Sequence, residues 1–398
     1  MERRGRMRIC LLSARFPPQR CGVGDYTCFL AGALGQIGHD VDVLTGVGEL
    51  DESLYPLPPN VHVHRVINDW GINRVPDVIR YLRDLGPQVL LLQYAPHAFD
   101  RRGITFAVNL LPTLVRVSSG MRVVTNFHEL YIPFDHSFKR NAGALWQRAA
   151  VGLLATGSHM LNVTATEWEL RLKGMGIRKR IHVIPVGSNI PLAMTSGADR
   201  SRLRKQLLSD SNGLLVAGFG ARHDRDMAGV LHALGRLKKE GPVKLVWIGS
   251  GSAGEREQAG IEDAVRVDGL EEGDVYWTGQ LPHCEVSRLL SVCDVMMLPF
   301  VDGVSTRRTS AVTALQHGLP LLTTRGTRQE PWFVHGENVY LVPAGDRHGL
   351  VDGLMELARR PDLRERLGEG ARTLYNAHFA WDVIAEQAER LAFQDRRQ

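Results

Sequence analysis

Short apolar runs alternate with amphipathic stretches along most of the chain, and this alternation limits the possible folds more than any other feature. Residues 87–93, PQVLLLQ, form a continuous apolar run, which is typical of a strand buried on both faces of a parallel sheet. Similar runs occur at 7–14, 121–127 and 244–248, with apolar residues at helical spacing between them. The pattern predicts doubly wound α/β domains.

The chain of 398 residues is long enough for two or three domains with full-sized cores. A polar, charged stretch at 191–211 predicts a linker followed by the first helix of a second domain. We therefore expect one domain over 1–190, a second over 191–375 and a terminal helix over 376–398. No stretch reaches the roughly 18 consecutive apolar residues of a membrane-spanning helix, so none is expected.

Positive charge is concentrated in the first half of the chain. Residues 1–190 contain 22 Lys and Arg against 15 Asp and Glu, whereas residues 191–398 contain 26 against 28. An anionic acceptor or a membrane rich in anionic lipid would suit the first half, and a contribution to solubility alone is the alternative. A helix predicted over 137–156 has basic residues nearby and fits either a membrane surface or packing on the sheet.

The cysteine pattern and the N-terminus favour a cytoplasmic protein. The five cysteines are odd in number and form no Cys-x-x-Cys pair, as expected for reduced thiols. The apolar stretch at 9–12 follows a basic start but is too short for a signal peptide, so we expect it to form the first strand.

Residues 299–324, PFVDGVSTRRTSAVTALQHGLPLLTT, predict a loop, a helix over about 306–317, a tight turn and a strand. The turn and N-cap residues of the loop are Asp302, Gly303 and Ser305. Arg307 and Arg308 fall in the predicted first turn, where the helix dipole disfavours cations. We therefore expect an anion such as a phosphate to bind at this helix start, and a solvated arginine face is the alternative.

Two glycine-rich turns follow predicted strands. Gly22 and Gly24 form the first, with Asp25 as the expected N-cap of the next helix, and this pattern opens a Rossmann-like unit. The second, GSGSAG at 249–254 with Asp268 further on, satisfies G-x-G-x-x-G and raises the alternative of a nicotinamide dinucleotide enzyme. That fingerprint normally opens the first unit of its domain, so this alternative fits the chain less well.

Three segments resemble family 4 glycosyltransferases of the GT-B fold. ALQHGLPLLTT at 314–324 is similar to the EAMACGLPVVAT stretch of that family. PP…GVG.Y…LA.AL…GHDV.VLTG at 17–46 and GENVYLVPAGD at 336–346 resemble its opening and its late LVP.GD segment. The resemblance spans nearly the whole chain. It implies an α/β fold of two Rossmann-like, doubly wound parallel-sheet domains that face each other across a cleft, with a C-terminal helix that crosses back to the first domain.

The resemblance also implies an activity. A sugar would pass from a nucleotide-diphosphate sugar of the UDP or GDP type to an acceptor hydroxyl, with retention of configuration and without a metal or cofactor. Fixed cations and helix N–H groups would stabilise the leaving nucleotide, and its phosphate would take the acceptor proton. The expected partners are this donor and a glycan, glycolipid or small-molecule acceptor, with peripheral membrane association and without nucleic acid.

By the same resemblance, donor contacts come from the second domain and the first glycine loop. Arg222 matches an arginine that neutralises the diphosphate in the family, while the lysine five residues further on falls on Met227, so Arg225 is the candidate second cation. The turns at Gly249 and Gly279 lie where the family borders the nucleotide base. The expected donor-binding residues are Gly22, Gly24, Arg222, Arg225, Gly249, Gly279, Leu281, Asp302, Gly303, Ser305, Thr306, Arg307, Arg308, Thr313 and Glu330.

A histidine ends the strand predicted at 121–127. The family carries a histidine there, near the reacting sugar carbon and within a His-Asp or His-Glu pair, which here is His128-Glu129. His128 and Arg222 are therefore the candidate catalytic residues. The candidate acceptor-binding residues are Asp25, Tyr26, Gln93, Arg101, Arg102 and Glu129.

The chain departs from the family at its best-known motif. Two glutamates separated by seven residues contact the donor sugar and the ribose in the family, and the matching positions here are Ser305 and Thr313. Three explanations stay open. Asp302 supplies the carboxylate, or Ser305 and Thr313 bind a donor with different hydroxyl geometry, or the chain is a catalytically silent GT-B subunit that binds a partner.

Overall fold

A computed structural model describes residues 5–48, 56–208, 213–249, 267–271, 273–327 and 330–393. The chain divides into two compact units: the first comprises residues 1–186 and 381–398, and the second comprises residues 187–380. These limits differ by a few residues from the predicted domain boundaries. The second unit begins at residue 187, before the predicted boundary at 191. Ser188 contacts that unit, with its Oγ 3.0 Å from Thr313 Oγ1.

The first unit contains a seven-stranded sheet in the order β3-β2-β1-β4-β5-β6-β7. All its strands are parallel: β1 (Arg8–Ser13), β2 (Asp40–Gly46), β3 (Val61–Ile67), β4 (Val89–Tyr94), β5 (Arg122–Phe127), β6 (Met160–Val163) and β7 (Ile181–Val183). Every residue of β4 is buried, as its continuous apolar run predicts. The strand order reverses between β1 and β4, which is where ligands bind in open α/β sheets.

The helices of the first unit that precede residue 187 are α1 (Gly22–Gln36), α2 (Val75–Leu85), α3 (Pro96–Phe99), α4 (Ala107–Ser119), α5 (Phe138–Gly157) and α6 (Thr166–Gly174), with a 3₁₀ turn at Ile72–Arg74. The prediction that Asp25 is an N-cap is wrong. Cys21 is extended, with φ −165°, and its carbonyl accepts the Asp25 N–H at 2.8 Å, so α1 begins at Gly22 and Asp25 lies in its first turn. The carboxylate still complements the helix dipole there.

The second unit repeats the strand order in a six-stranded sheet, β10-β9-β8-β11-β12-β13. Its parallel strands are β8 (Leu214–Phe219), β9 (Val243–Ile248), β10 (Val275–Trp277), β11 (Val295–Leu298), β12 (Leu321–Arg325) and β13 (Tyr340–Pro343). Trp247 is fully buried. It packs on β8 where Gly218 leaves room, since a Cβ at Gly218 would lie 2.1 Å from the Trp247 ring.

The described helices of the second unit are α7 (Gly197–Leu207), α8 (Met227–Lys238), α9 (His283–Leu290), α10 (Thr309–His317), α11 (Arg347–Arg359) and α12 (Pro361–Leu374), followed by a π-helical turn at Tyr375–Phe379. Helix α10 begins three residues later than predicted. The Arg308 N–H donates to Ser305 O at 3.0 Å in a turn, and Arg308 becomes the N-cap. Arg307 and Arg308 therefore precede the helix.

The terminal helix α13 (Trp381–Phe393) belongs to the first unit. The ring of Trp381 lies 5.3 Å from that of Tyr26 and stacks on Phe29 at 5.4 Å, both in α1. Aromatic packing thus fixes the end of the chain to the helix that follows β1. Within the described ranges, no helix combines the length and apolar character needed to cross a bilayer.

Candidate active site

His128 follows β5 directly, at the carboxyl edge of the first sheet, and is 8% exposed. Its backbone N–H donates to Tyr94 O at 2.9 Å, and its carbonyl accepts Trp168 Nε1 at 3.1 Å, so the backbone is held on both sides. Burial lowers the pKa of His128 to about 3. The imidazole is therefore neutral at physiological pH.

A chain of amides orients the imidazole. Gln93 Oε1 lies 2.9 Å from His128 Nε2 and also accepts Asn126 Nδ2 at 2.9 Å. Asn162 Nδ2 in turn donates to Asn126 Oδ1 at 2.7 Å. The Gln93 Oε1 acceptor favours the tautomer protonated at Nε2, although Asn126 Nδ2 also lies 3.3 Å from that nitrogen. Gln93 Nε2 is buried and has no partner among the described residues, so a polar ligand that displaced the groups covering it would satisfy this donor.

The start of α1 lies against this network. The Tyr26 ring meets the His128 ring edge-on, with centres 4.6 Å apart. Burial raises the pKa of Tyr26, and a hydrogen bond with Asn126 opposes that shift. Gly24 lets the start of α1 approach the loop after β1, because a Cβ there would lie 2.9 Å from Arg15 O. At Gly22, by contrast, a Cβ would meet nothing within 4 Å.

The other candidate acceptor residues are more exposed. Arg101 and Arg102 occupy an exposed turn that follows α3, and Asp100 Oδ1 accepts the Arg102 N–H at 2.8 Å. The side chain of Glu129 is exposed, although His128 before it is buried, and Asp25 is half-buried. The structure thus brings Tyr26, Gln93 and His128 together, and it places the two arginines on the surface.

In the second unit, the loops after β8, β9 and β10 meet at the carboxyl edge. Trp247 Nε1 donates to Gly220 O at 3.0 Å, and the Gly249 N–H donates to Gly279 O at 2.9 Å. A Cβ at Gly249 would lie 3.3 Å from the Gly220 backbone. Arg222, only 6% exposed, stacks with its Cζ 4.8 Å from the Trp277 ring centre. Of the glycine-rich segment 249–254, residues 250–254 lie outside the described part of the chain.

Arg225 is another nearly buried cation of this edge, with a side chain that is 4% exposed. Its Cζ lies 3.8 Å from the Phe300 ring centre, and Nη2 donates to Ser310 Oγ at 3.0 Å in the first turn of α10. Burial lowers the pKa of Arg225 to about 10, although its ion pair with Asp224 opposes the shift, so the guanidinium stays charged. Burial also raises the pKa of Asp224, but Arg225 and Arg308 outweigh it and leave that pKa below its usual range.

Arg307 and Arg308 already have anionic partners within the chain. Arg308 donates to both Asp224 and Asp302, and Arg307 Nη2 lies 3.0 Å from Asp302 Oδ2. The prediction that these arginines lack a partner at the helix start is therefore wrong. The prediction places both arginines in the first turn of the helix. They precede it instead, and residues before a helix can turn toward carboxylates of neighbouring loops. Arg225, Arg307 and Arg308 thus gather three guanidinium groups around the carboxylates of Asp224 and Asp302.

The loop before α10 is tightly packed. Gly303 has φ 90°, and a Cβ there would lie 2.1 Å from the Gly326 N atom, so only glycine fits. Ser305 Oγ is buried without a hydrogen-bond partner among the described residues. Thr306 is fully buried, so its side chain presents no surface to a ligand.

Three other candidate donor residues are at least partly buried. Thr313, which takes the place of the ribose-binding glutamate, is fully buried, and its hydroxyl donates to Thr309 O at 2.9 Å. Glu330 is 5% exposed and Leu281 is half-buried. A donor that touched Thr313 would first have to displace the groups that cover it.

Sequence reasoning missed five residues of these two clusters: Asn126, Asn162, Asp224, Phe300 and Ser310. Asp224 carried a signal, because an acid between His223 and Arg225 suggests local charge pairing. Nothing in the sequence marks Phe300 as a platform for two guanidinium groups, with Arg308 Cζ 4.6 Å from its ring centre.

Comparison with known proteins agrees with this architecture. Residues 212–360 match the family model "Glycosyl transferases group 1", and residues 21–187 match "Glycosyl transferase 4-like domain". The MMP alpha-(1->4)-mannosyltransferase of Mycolicibacterium hassiacum is 25% identical over 417 residues, which cover 96% of each chain. The phosphatidyl-myo-inositol mannosyltransferase of Mycobacterium leprae is 27% identical over 254 residues, which cover 62% of this chain and 60% of the relative.

Solved structures share the fold at low sequence identity. HepE of Anabaena in complex with UDP and glucose has a TM-score of 0.72 and 18% identity, with 97% of this chain and 99% of that chain covered. The sucrose-phosphate synthase of Thermosynechococcus elongatus has a TM-score of 0.72 and 18% identity, with coverages of 98% and 99%. The two family models, the full-length relative and the fold together show that the chain belongs to the family 4 glycosyltransferases of the GT-B fold.

Proposed function

We propose that the protein transfers a sugar from a nucleotide-diphosphate sugar of the UDP or GDP type to an acceptor hydroxyl, with retention of configuration and without a metal. The observation that carries the proposal is the pair of nearly buried arginines, Arg222 and Arg225, at the carboxyl edge of the second sheet. Buried cations are costly unless anions share the site. The fold similarity to HepE in complex with UDP and glucose supports a diphosphate as the additional anion.

In the proposed reaction, the bond between the anomeric carbon and the leaving phosphate oxygen breaks, and the acceptor oxygen bonds to the same face of that carbon. Negative charge grows on the leaving diphosphate. Arg222, Arg225 and the first N–H groups of α10 would stabilise that charge without reorganisation. The leaving phosphate would take the acceptor proton, so the reaction needs no protein base.

The first unit would hold the acceptor and orient the sugar. His128 is neutral at physiological pH, because burial lowers its pKa to about 3, so it serves as a hydrogen-bonding group rather than as an acid. The buried Nε2 of Gln93, which lacks a partner among the described residues, is the expected donor to a sugar or acceptor hydroxyl. These groups would fix the reacting atoms at bonding distance.

A panel of UDP and GDP sugars tests the proposal, with release of the nucleoside diphosphate as the readout and calorimetry for binding. One donor is expected to turn over, NMR of the product should show the donor's anomeric configuration, and a chelator should leave the rate unchanged. Absence of turnover together with absence of UDP and GDP binding would overturn the proposal. Inverted configuration or loss of activity with the chelator would overturn its stereochemical or its metal-free part.

A further inference from the structure

Helices α4 and α5 of the first unit turn large apolar side chains to solvent. Val117 of α4 is 78% exposed, and Phe138 and Leu145 of α5 are 87% and 61% exposed. Such side chains are normally scattered singly over a protein surface. The α4–α5 face, as we call it, consists of Leu110, Leu114, Val117, Phe138, Leu145 and Leu153.

The two helices form one layer, so their exposed side chains belong to one surface. The rings of Phe106, before α4, and Trp146, in α5, lie 4.1 Å apart. Near the other end, Gly157 brings α5 so close to α4 that a Cβ there would lie 2.5 Å from Thr113 Oγ1. Contacts at the start and in the middle of α4 therefore keep the two apolar faces side by side.

The charges of this layer have one sign. Neither helix contains an aspartate or a glutamate, whereas α4 carries Arg116 and α5 carries Lys139, Arg140 and Arg148. Arg140 pairs with Asp135, which precedes the helix, at 2.8 Å, and Lys139 is exposed. Arg148 instead stacks on the Tyr131 and Phe134 rings. The exposed cations that border the apolar α4–α5 face are therefore Arg116, Lys139 and Arg140.

We propose that the α4–α5 face docks the protein on a bilayer that contains anionic lipid. A second copy of the chain is a poorer occupant, because two acid-free, cationic layers would repel each other. A bilayer takes up the exposed leucines and phenylalanine at the headgroup boundary, and its negative surface attracts the bordering lysine and arginines. The helix layer is positively charged and the lipid surface is negatively charged, which favours a bilayer over a second copy of the chain.

The face begins beside the candidate acceptor site. Helices α4 and α5 follow β4 and β5 of a parallel sheet, so both begin at the carboxyl edge where His128 lies. Lys139 and Arg140 are in the first turn of α5, at that edge. Docking there would hold the acceptor site close to the lipid surface, which suits an acceptor hydroxyl carried by a lipid. This last consequence rests on the proposed function, whereas the docking itself does not.

Cosedimentation of the full chain with phosphatidylcholine vesicles, with and without one-third phosphatidylglycerol, tests the docking without any nucleotide sugar. We expect binding to the anionic vesicles and much weaker binding to the neutral ones. Leu145→Glu should lower the partition coefficient about tenfold or more, because it removes an inserted leucine and adds a repelled charge. The double variant Lys139→Gln, Arg140→Gln should lower it about tenfold. Salt of about 1 M, with a Debye length of about 3 Å, should remove the preference for anionic lipid.

Leu170→Glu is the matched control, since Leu170 lies in α6 of the same unit and is 48% exposed. It should bind vesicles like the wild type, whereas Leu153→Glu should repeat the loss seen with Leu145→Glu, and circular dichroism checks that each variant is folded. Equal binding by wild type and Leu145→Glu would overturn the proposal. So would a wild-type dimer that Leu145→Glu converts to a monomer while neither binds vesicles. Sugar transfer to soluble acceptors is measured separately, so the docking and the transferase proposal fail independently.

Discussion

Oδ2 of Asp302 lies 3.0 Å from Nη2 of Arg307, and the other oxygen of the same carboxylate accepts a hydrogen bond from Arg308. The Asp302 side chain is 51% exposed, so this pairing is screened by water and weak. A diphosphate carries more charge and would displace it. On the proposed function, we expect Asp302 to compete with the donor phosphate for these arginines rather than to substitute for the missing glutamate.

Asp302→Asn should therefore raise the calorimetric affinity for UDP or GDP by about fivefold, the worth of a weak surface ion pair. Asp199→Asn is the control, because Asp199 forms a similar exposed pair with Arg202, at 2.6 Å, on α7. It should leave the affinity unchanged. A weaker affinity of Asp302→Asn would instead assign Asp302 to the donor as a direct ligand.

Replacement of His128 should separate transfer from nucleotide binding. His128→Ala removes the group that Gln93 orients, and we expect a loss of about a hundredfold in transfer rate, as for other losses of substrate positioning. The affinity for the nucleoside diphosphate should stay nearly the same. Gln93→Leu should reduce the transfer rate by a smaller factor and should also leave the affinity for the nucleoside diphosphate nearly unchanged. Equal losses of transfer and nucleotide binding would mean that His128 is only structural.

Burial of His128 should also appear in the pH dependence of stability. The folded-state pKa is lowered from 6.5 to about 3, so the unfolded chain binds the extra proton between these values. Stability is then complete above the higher value and falls as the pH falls toward the lower one. Relative to His128→Gln, which does not titrate, wild type should lose up to about 1.4 kcal/mol per pH unit between about pH 6 and about pH 4. Urea unfolding at several pH values measures the free energy of unfolding of both proteins. If it changes with pH in the same way in wild type and His128→Gln, the prediction is contradicted.

Arg222 should act mainly through its charge. Arg222→Ala is expected to reduce donor turnover by about a hundredfold, as seen when other electrostatic stabilisers are removed. Arg222→Lys keeps the charge but loses the planar stacking on Trp277, and should recover part of the rate. The exposed Arg359, paired with Glu240 in the same unit, provides a neutral control as Arg359→Ala. Unchanged kinetics of Arg222→Ala would remove it from the site.

Much of the fold follows from local pattern. The run at 87–93 became the fully buried β4 because a strand covered on both faces needs no polar alternation. The GT-B fold is predicted because the glycine turns and the GLP segment resemble a family in which these turns connect parallel strands. Two parallel-sheet units and the similarity to solved structures confirm it.

The candidate site was harder to predict, because its pairs join distant parts of the chain. Arg308 and Asp224 are 84 residues apart, and only the meeting of the loops after β8 and β11 brings them together. Thr313 likewise contacts Ser188, which lies 125 residues away along the chain. The starts of α1 and α10 also differ from the predictions. An extended Cys21 and a backbone turn at Ser305 determine them, rather than side-chain capping.

Gly303 offers a test of how the loop before α10 is held. Gly303→Ala would place a Cβ 2.1 Å from the Gly326 N atom at φ 90°, so backbone must move. Gly336→Ala is the matched control, because Gly336 has φ 78° but no atom within 4 Å of an added Cβ. The control should lose about 1 kcal/mol in free energy of unfolding from φ strain alone, and Gly303→Ala about 3 kcal/mol or more. Because Asp302 and Ser305 flank Gly303, its variant should also bind nucleoside diphosphate more weakly. Equal stability losses in urea unfolding would show that the close approach of the two glycines does not constrain the loop.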